Sequence, residues 1–337
     1  MGDLMHALPA LSDACEQYPG IRFDWVVDEA FAEVPRWHPA VDHIYKSAHR
    51  RWKKNFWQSL TQGEFKAFRR GLNEKKYDVI IDAQNNVKSA LISMLRQGNV
   101  HGMDSGSVAE QPAFLAYKYR HSIERQQHAI SRQRELFARA LNYPTPEAPI
   151  NYGLRQDAFI KPAIDLPDNF VFLVHNASWT TKLWPEAHWH KLIEQLGDRK
   201  LDVVLPGGNQ EELERAAKIA GAHNNAITIP RMSLSEIGGV ISQAKGMVCC
   251  DTGLAHLGAM IGTPAVTLYG PTSHTLIGTS GQHQLQVHAQ GKAFPCSPCY
   301  KRVCQFGEYR GNLMSACMQA FTPAQVLDAL DSTLKQY

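Results

Sequence analysis

No apolar run in these 337 residues approaches the about 20 needed for a membrane-spanning helix, and the start has no charged n-region followed by an apolar h-region. His6 stands where a myristoylation signal needs Ser or Thr. The G-x-G-x-x-G dinucleotide fingerprint and the G-x-x-x-x-G-K-[ST] phosphate loop are both missing, which argues against a nicotinamide enzyme or an NTPase. No D-x-D pair ends an apolar run to hold a catalytic metal. Net charge is scarce too: +3 leaves room only for a local basic surface. With 44% hydrophobic and 20% charged residues, the chain is a globular protein, long enough for about two domains. Its seven cysteines, without a secretion signal, read as reduced cytosolic thiols.

What is present centres on Met247 to Thr272. The apolar run M-V-C-C ends in Asp251-Thr252-Gly253, a helical run follows, and A-V-T-L-Y ends in Gly270-Pro271. That is strand, tight turn, helix, strand. In a parallel sheet, ligands bind at the carboxyl ends of strands, and a helix N-terminus suits a phosphate. Asp251 can cap the helix, Thr252 and Gly253 let backbone approach a phosphate, and His256 lies one turn in. An ordinary βα turn with a capping Asp would look the same.

Helix and strand alternate along the chain. Leu4, Leu8, Leu11 and Ala14 have helical spacing, opening the chain on a helix where a strand is expected first. F-D-W-V-V, the run around Ile44, D-V-I-I-D-A from Asp78 and the run near His101 read as strands, and 124–141 as an amphipathic helix. The segment 142–168 carries Pro144, Pro146, Pro149, Pro162 and Pro167 and reads as a linker. Strands then end at His175, Leu205, Ile229, Cys250 and Tyr269, with helices over 186–197, 211–220, 234–243 and 253–261 between them. Ser233 and Glu236 have capping-box spacing. The fold class is α/β, with two Rossmann-like doubly wound domains facing a cleft.

Three strand ends in the C-terminal half carry candidate site residues. The loop Asn176-Ala177-Ser178-Trp179-Thr180-Thr181-Lys182 follows the first, Glu211 and Glu212 open the helix after the second, and the Asp-Thr-Gly turn follows a third. Lys182 and the helix N-terminus would neutralise a diphosphate, and a Glu could accept from a ribose. An exposed loop lysine and a helix-terminal acid are the plainer readings. Asp3 is a candidate general base or a simple helix cap. Arg50-Arg51-Trp52-Lys53-Lys54-Asn55-Phe56-Trp57 is either a solvated helix face with aromatic anchors or a surface for anionic headgroups. Cys296, Cys299, Cys304 and Cys317, around a polar loop from Phe306 to Asn312, are spaced as packing thiols or a structural zinc site.

Together these residues resemble the lipopolysaccharide heptosyltransferases of glycosyltransferase family 9, most of all the heptosyltransferase I branch. The carriers are Gly2-Asp3 with His6, Pro9-Ala10-Leu11, the run from Pro19, Arg50-Arg51-Trp52, I-D-A-Q with Lys88-Ser89, His101-Gly102, Gln127-His128-Ala129, Lys182 with Trp184-Pro185, and D-T-G-L-A-H with Y-G-P-T. The resemblance implies a two-domain GT-B fold: an acceptor-binding domain over 1–150, an ADP-sugar-binding domain over 151–321, and a terminal helix, 322–337, packing back toward the first domain. It implies ADP-L-glycero-D-manno-heptose as donor and Kdo-lipid A as acceptor, at the cytoplasmic face of the inner membrane. The protein would act as a monomer with no metal, no cofactor and no nucleic-acid partner. Asp3 matches the base, Lys182 the phosphate-facing lysine, Ala177 and Ser178 the hydroxyl loop, and Glu212 the ribose carboxylate. Asp251, Thr252, Gly253 and His256 match the donor motif, and Arg50, Arg51, Lys53 and Lys54 the acceptor patch. Two positions depart from the family pattern: an Arg-Glu-Pro motif reads Glu110-Gln111-Pro112, and a usual Gly is Asn85. Heptosyltransferase II or another family 9 transferase, and a non-catalytic sugar-nucleotide- or lipopolysaccharide-binding module, are the alternatives. The pattern also places a strand and a Lys-x-Ser-Ser loop before Gly2-Asp3, so a first, central strand is expected to be missing and the start to be internal to a longer chain.

Overall fold

The computed structural model describes residues 1–54, 63–96, 98–291, 293–304, 306 and 315–337. The chain divides near Ala158 into two compact units.

The N-terminal unit opens on α1 (Gly2–Gln17), whose residues from Met5 to Ala14 are all buried. Such a helix cannot tolerate uncompensated charge. Its one buried carboxylate, Asp13, takes two hydrogen bonds from Arg134, at 2.6 and 2.9 Å. Then come β1 (Phe23–Asp28), α2 (Glu33–Arg36), β2 (Val41–Ser47), α3 (His49–Lys54), α4 (Glu64–Leu72), β3 (Ile80–Ile81), α5 (Val87–Ser93), β4 (Val100–Met103), a 3-10 turn (Gln111–Ala116), β5 (Tyr119–His121) and α6 (Ala129–Leu141). Among the described residues the strands are all parallel but form two sheets, β1-β2 and β3-β4-β5. The strand expected over 78–83 is only two residues long, and β5 was not expected at all. Ala10 and Leu11 of α1 and Phe137 of α6 cluster with Phe23, Trp25 and Ile81, so side chains join what backbone pairing does not. The turn after β3 explains a departure from the family pattern. Asn85 has φ 52°, the left-handed region where Gly is at ease and Asn is the next best tolerated.

The C-terminal unit alternates strand and helix as far as β11 and ends on two helices: β6 (Phe170–Val174), α7 (Glu186–Asp198), β7 (Asp202–Leu205), α8 (Gln210–Ala220), β8 (Ala226–Thr228), α9 (Leu234–Ile241), β9 (Gly246–Cys250), α10 (Gly253–Ile261), β10 (Ala265–Tyr269), α11 (His274–Ile277), β11 (Gln284–His288), α12 (Ala316–Gln319) and α13 (Pro323–Gln336). One parallel six-stranded sheet has the order β11-β10-β9-β6-β7-β8. Every residue of β6, β9 and β10 is buried, as a sheet covered on both faces requires. The Ser233–Glu236 capping box starts α9 as expected. Helix α10 rides close on β9 because position 258 is Gly: a Cβ there would sit 2.3 Å from the Met247 sulfur. The terminal helix α13 lays Val326, Leu327 and Leu330 into the core of its own unit, against α7 and β9–β11.

Candidate functional site

In the six-stranded sheet the order runs outward through β7 and β8 on one side of β6 and through β9, β10 and β11 on the other. The switch point therefore lies between β6 and β9, where a doubly wound sheet opens a crevice at its strand ends. The two loops that leave there are the Lys182 loop and the Asp-Thr-Gly turn.

Lys182 ends a 3-10 turn, Thr180–Lys182, and its Nζ lies 2.7 Å from Asp251 Oδ2. It also sits 4.7 Å from the centroid of the Trp179 ring. Asp251 is 4% exposed, and the same Oδ2 accepts from Thr272 Oγ1 at 2.6 Å. Three strand ends thus meet through side chains: β6 supplies the lysine, β9 the carboxylate and β10 the hydroxyl. The expectation that Asp251 caps the helix is corrected. The N-cap of α10 is Thr252, with no side-chain cap, because the Asp251 carboxylate is turned to Lys182 and Thr272. In the first turn of α10 the Ala255 N–H reaches back to the Thr252 carbonyl at 3.1 Å, while the N–H groups of Gly253 and Leu254 precede the first helical acceptor and face the strand-end side. His256 is buried one turn further in.

The lysine turn is braced from both ends. Trp184, fully buried, donates from Nε1 to the Phe321 carbonyl at 2.9 Å and packs edge-on to Trp189. Thr181 Oγ1 donates to the Lys301 carbonyl at 2.8 Å, and Ser315 Oγ donates to the Thr181 carbonyl. Arg302 also lies over the Trp179 ring, its Cζ 5.3 Å from the centroid. Ala177 packs on the core and Ser178 is exposed. Glu212 is the third residue of α8, with its N–H on Asn209 Oδ1 at 2.9 Å and its carboxylate accepting from Gly208 N–H at 2.8 Å. It closes the β7–α8 turn on itself, as an acidic residue in a helix's first turn does.

At the end of β6, burial and the nearby Arg215 push the His175 imidazole down to about 4. It is a neutral ring at pH 7, and Asn176 Nδ2 lies 2.7 Å from its Nε2.

In the N-terminal unit, Asp3 is exposed in the first turn of α1, whose N-cap is Met1. The simple-cap reading of Asp3 therefore does not hold. His6, one turn on, meets the His128 ring edge-on at 5.8 Å, and His128 Nδ1 caps α6 by accepting from Ile130 N–H at 3.2 Å. Arg51 of α3 is held by two carboxylates: Glu64, at 2.8 and 2.7 Å, and Glu29, at 3.3 and 3.1 Å. Trp52 is turned inward onto Phe65 and Phe68, an anchor and not a membrane-facing ring. Arg50, Lys53 and Lys54 share α3 with Arg51; their side chains, and Phe56 and Trp57, lie outside the described residues.

The four C-terminal cysteines line one cavity of about 350 Å³, with Thr181, Gly270 and Pro271 on its wall. Among the described residues no three His, Cys, Asp or Glu side chains are grouped to hold a metal ion, and burial pushes the Cys317 thiol up. Thr272, Trp179 and Arg302 are the site residues that sequence reasoning left unassigned. Thr272 had a signal, since it follows Gly270-Pro271 at a strand end; Arg302, more than a hundred positions from Trp179, had none.

A family model described as glycosyltransferase family 9 (heptosyltransferase) matches residues 65–310. Lipopolysaccharide heptosyltransferase 1 of Pseudomonas aeruginosa is 42% identical over 307 residues, which span 91% of this chain and 85% of that protein. Its namesake in Escherichia coli K12 is 43% identical over 290 residues, spanning 86% and 91%. Among solved structures, the E. coli heptosyltransferase WaaC with ADP superposes with a TM-score of 0.84 at 38% identity, covering 99% of this chain and 97% of the other.

Proposed function

This chain belongs to glycosyltransferase family 9, and we propose that it transfers L-glycero-D-manno-heptose from ADP-heptose to the Kdo of Kdo-lipid A, with inversion, in lipopolysaccharide core assembly. The single observation that carries the donor half is the convergence of Lys182, Asp251 and the α10 N-terminus at the β6/β9 switch point. It supplies a cation and a helix terminus for a diphosphate. A solved relative of 37% identity is described with ADP-2-deoxy-2-fluoro heptose, and its name supports the same donor here.

In this reading Asp3 takes the proton of the acceptor hydroxyl. That oxygen forms a bond to the anomeric carbon as the bond from that carbon to the β-phosphate oxygen breaks, and the electron pair leaves with ADP. Lys182 and the first-turn N–H groups of α10 stabilise the charge that develops on the departing diphosphate. Asp251 and Trp179 hold the ammonium in place; Glu212 accepts from the ribose. Ala177 and Ser178 flank the phosphates, with Thr252, Gly253 and His256 on the opposite loop. Arg50, Arg51, Lys53 and Lys54 bind acceptor phosphates, Arg51 by exchanging at least one of its carboxylate partners. The protein works at the cytoplasmic face of the inner membrane, as a monomer.

The test offers ADP-heptose with an acceptor ending in Kdo and, separately, with one already carrying a heptose, and measures ADP release. Release only with the Kdo acceptor is expected. Release only with the heptosylated acceptor would make this a heptosyltransferase II activity, and none with either would leave a binding module.

A further inference from the structure

Most large apolar residues of a folded chain are covered, but three on neighbouring elements of the N-terminal unit are not. Leu91 is 59% exposed, Met94 65% and Leu115 67%. Lys88, Leu91 and Met94 follow at intervals of three, so they form one ridge along α5 and its C-cap, while Ala90 faces inward to the core. The 3-10 turn that carries Leu115 packs alongside α5. The outer surface of this pair is thus a cluster of aliphatic knobs.

Its charge is one-sided. Residues 87–96 and 110–120 contain Lys88, Arg96, Lys118 and Arg120 against one carboxylate, Glu110. That carboxylate accepts from Val87 N–H at 2.8 Å and so belongs to the helix start. Lys118 donates to Asn99 Oδ1 and Arg120 to the Tyr117 carbonyl, both neutral partners. Lys118 also lies over the ring of the exposed Tyr119, at 5.6 Å. Aliphatic knobs with Lys88 on the same ridge and Arg120 over the Phe114 ring of the 3-10 turn are what an anionic bilayer surface selects: the knobs enter the acyl boundary while the cations meet headgroup phosphates. A protein partner would select the knobs without needing the cations. No described helix is long and apolar enough to cross a membrane, so a surface contact is the form such binding takes.

We propose that the outer face of α5 and the adjoining 3-10 turn is a docking surface for an anionic phospholipid bilayer. The inference rests on the lipid-anchored acceptor assigned above, and it supplies the contact that brings the enzyme to that acceptor.

The experiment measures co-flotation of the full chain with vesicles of pure phosphatidylcholine and with vesicles containing phosphatidylglycerol. Wild type is expected on the second and not the first, with binding that weakens as salt rises. The triple variant Leu91→Ser, Met94→Ser, Leu115→Ser should bind at least about tenfold more weakly, and Lys118→Gln with Arg120→Gln about tenfold more weakly. Both variants should keep the wild-type melting temperature, because every changed side chain is exposed. Turnover with a soluble, delipidated Kdo acceptor should stay unchanged, which separates this proposal from the catalytic one: failure there bears on the enzyme reading, failure to float on the docking surface. Undiminished flotation of the triple variant would overturn the proposal. So would a concentration-dependent dimer, seen without lipid and abolished by the same three changes, since the face would then belong to a second copy.

Discussion

The two α/β units build their sheets from the same kind of parallel strand and finish them differently. In the C-terminal unit six strands are continuous, and every residue of β6, β9 and β10 is buried. In the N-terminal unit the strands fall into a pair and a triplet, with five of six residues of β1 and both of β3 only half-buried. Sheet continuity is what lets a charged cluster be placed inside: Lys182, Asp251 and Thr272 reach one another because three adjacent strands hold their ends in register. Where pairing is interrupted, the candidate residues sit on helix starts and surface helices. Asp3 is on the first turn of α1 and Arg51 on α3. On the proposed reading, the donor side is a fixed framework, and the acceptor side is built from exposed, separately anchored pieces.

The largest effect that tests this contrast is chemical. Asp3→Asn removes the proposed base while keeping the size and shape of the side chain. Turnover should fall about 10²–10⁴-fold, with ADP affinity unchanged, because nothing in the C-terminal unit is altered. Steady-state kinetics with ADP titration of the free enzyme would check it. Near-normal turnover would return Asp3 to a helix-start residue and move the base elsewhere.

Next comes the framework itself. Lys182→Met should cost both units of function and fold: weaker donor binding, and a loss of about 3 kcal/mol or more in stability. Asp251 is 4% exposed and would be left with a buried charge and one hydroxyl. Chemical denaturation reads the second effect, and pairing Lys182→Met with Asp251→Asn should recover much of the stability but not the activity. If the single variant is as stable as wild type, the ion pair is not the element that joins these strand ends.

A third effect compares the units by pH. Burial depresses the imidazole of His38, 1% exposed in the N-terminal unit, to about 4. Its Nδ1 accepts from Ala40 N–H at 3.2 Å, so the ring is neutral, and Ser12 Oγ is 3.1 Å from Nε2. The unfolded chain binds the proton more readily, near the ordinary value of about 6.5, so stability is full above that pH and is lost as pH falls from there toward 4. His175 repeats the pattern in the C-terminal unit, also at about 4. Substituting His38→Gln should flatten the pH dependence by up to about 3 kcal/mol, leaving the His175 share in place. Parallel stability curves for the two proteins would rule His38 out.

The C-terminal half was largely legible because its strands are short apolar runs bounded by turn residues, and its helices begin at recognisable caps such as Ser233. The helix at 253–261 falls where the spacing put it. Legibility failed where structure depends on partners distant in sequence. β11 (Gln284–His288) reads as polar and is a strand only because it pairs with β10. Asp251 looked like a cap because caps are local, while its real partners, Lys182 and Thr272, lie 69 positions before and 21 after it. Arg51 looked like an open cation because Glu29 and Glu64 are not its sequence neighbours. Local grammar names elements; the charges inside a site are assigned by tertiary contacts.

The smallest effect sits at the turn after β3, where Asn85 stands at a position that the resemblance gives to glycine. Its φ of 52° costs a residue with a Cβ about 1 kcal/mol, less for Asn than for most. Asn85 offsets that with its side chain: Nδ2 donates to the Asp82 carbonyl at 2.8 Å, and Oδ1 accepts from Met103 N–H at 2.7 Å. The second bond ties the β3 turn to the end of β4, supplementing a pairing that is only two residues long. Asn85→Gly removes the strain and both bonds, so a net loss of about 1 kcal/mol is expected. Asn85→Ala loses the bonds and keeps the strain, so it should be less stable than the glycine variant by about a further 1 kcal/mol. Thermal unfolding of the three proteins checks the order Asn above Gly above Ala. Should glycine be the most stable of the three, the two side-chain bonds contribute nothing net and the short β3–β4 pairing stands without them.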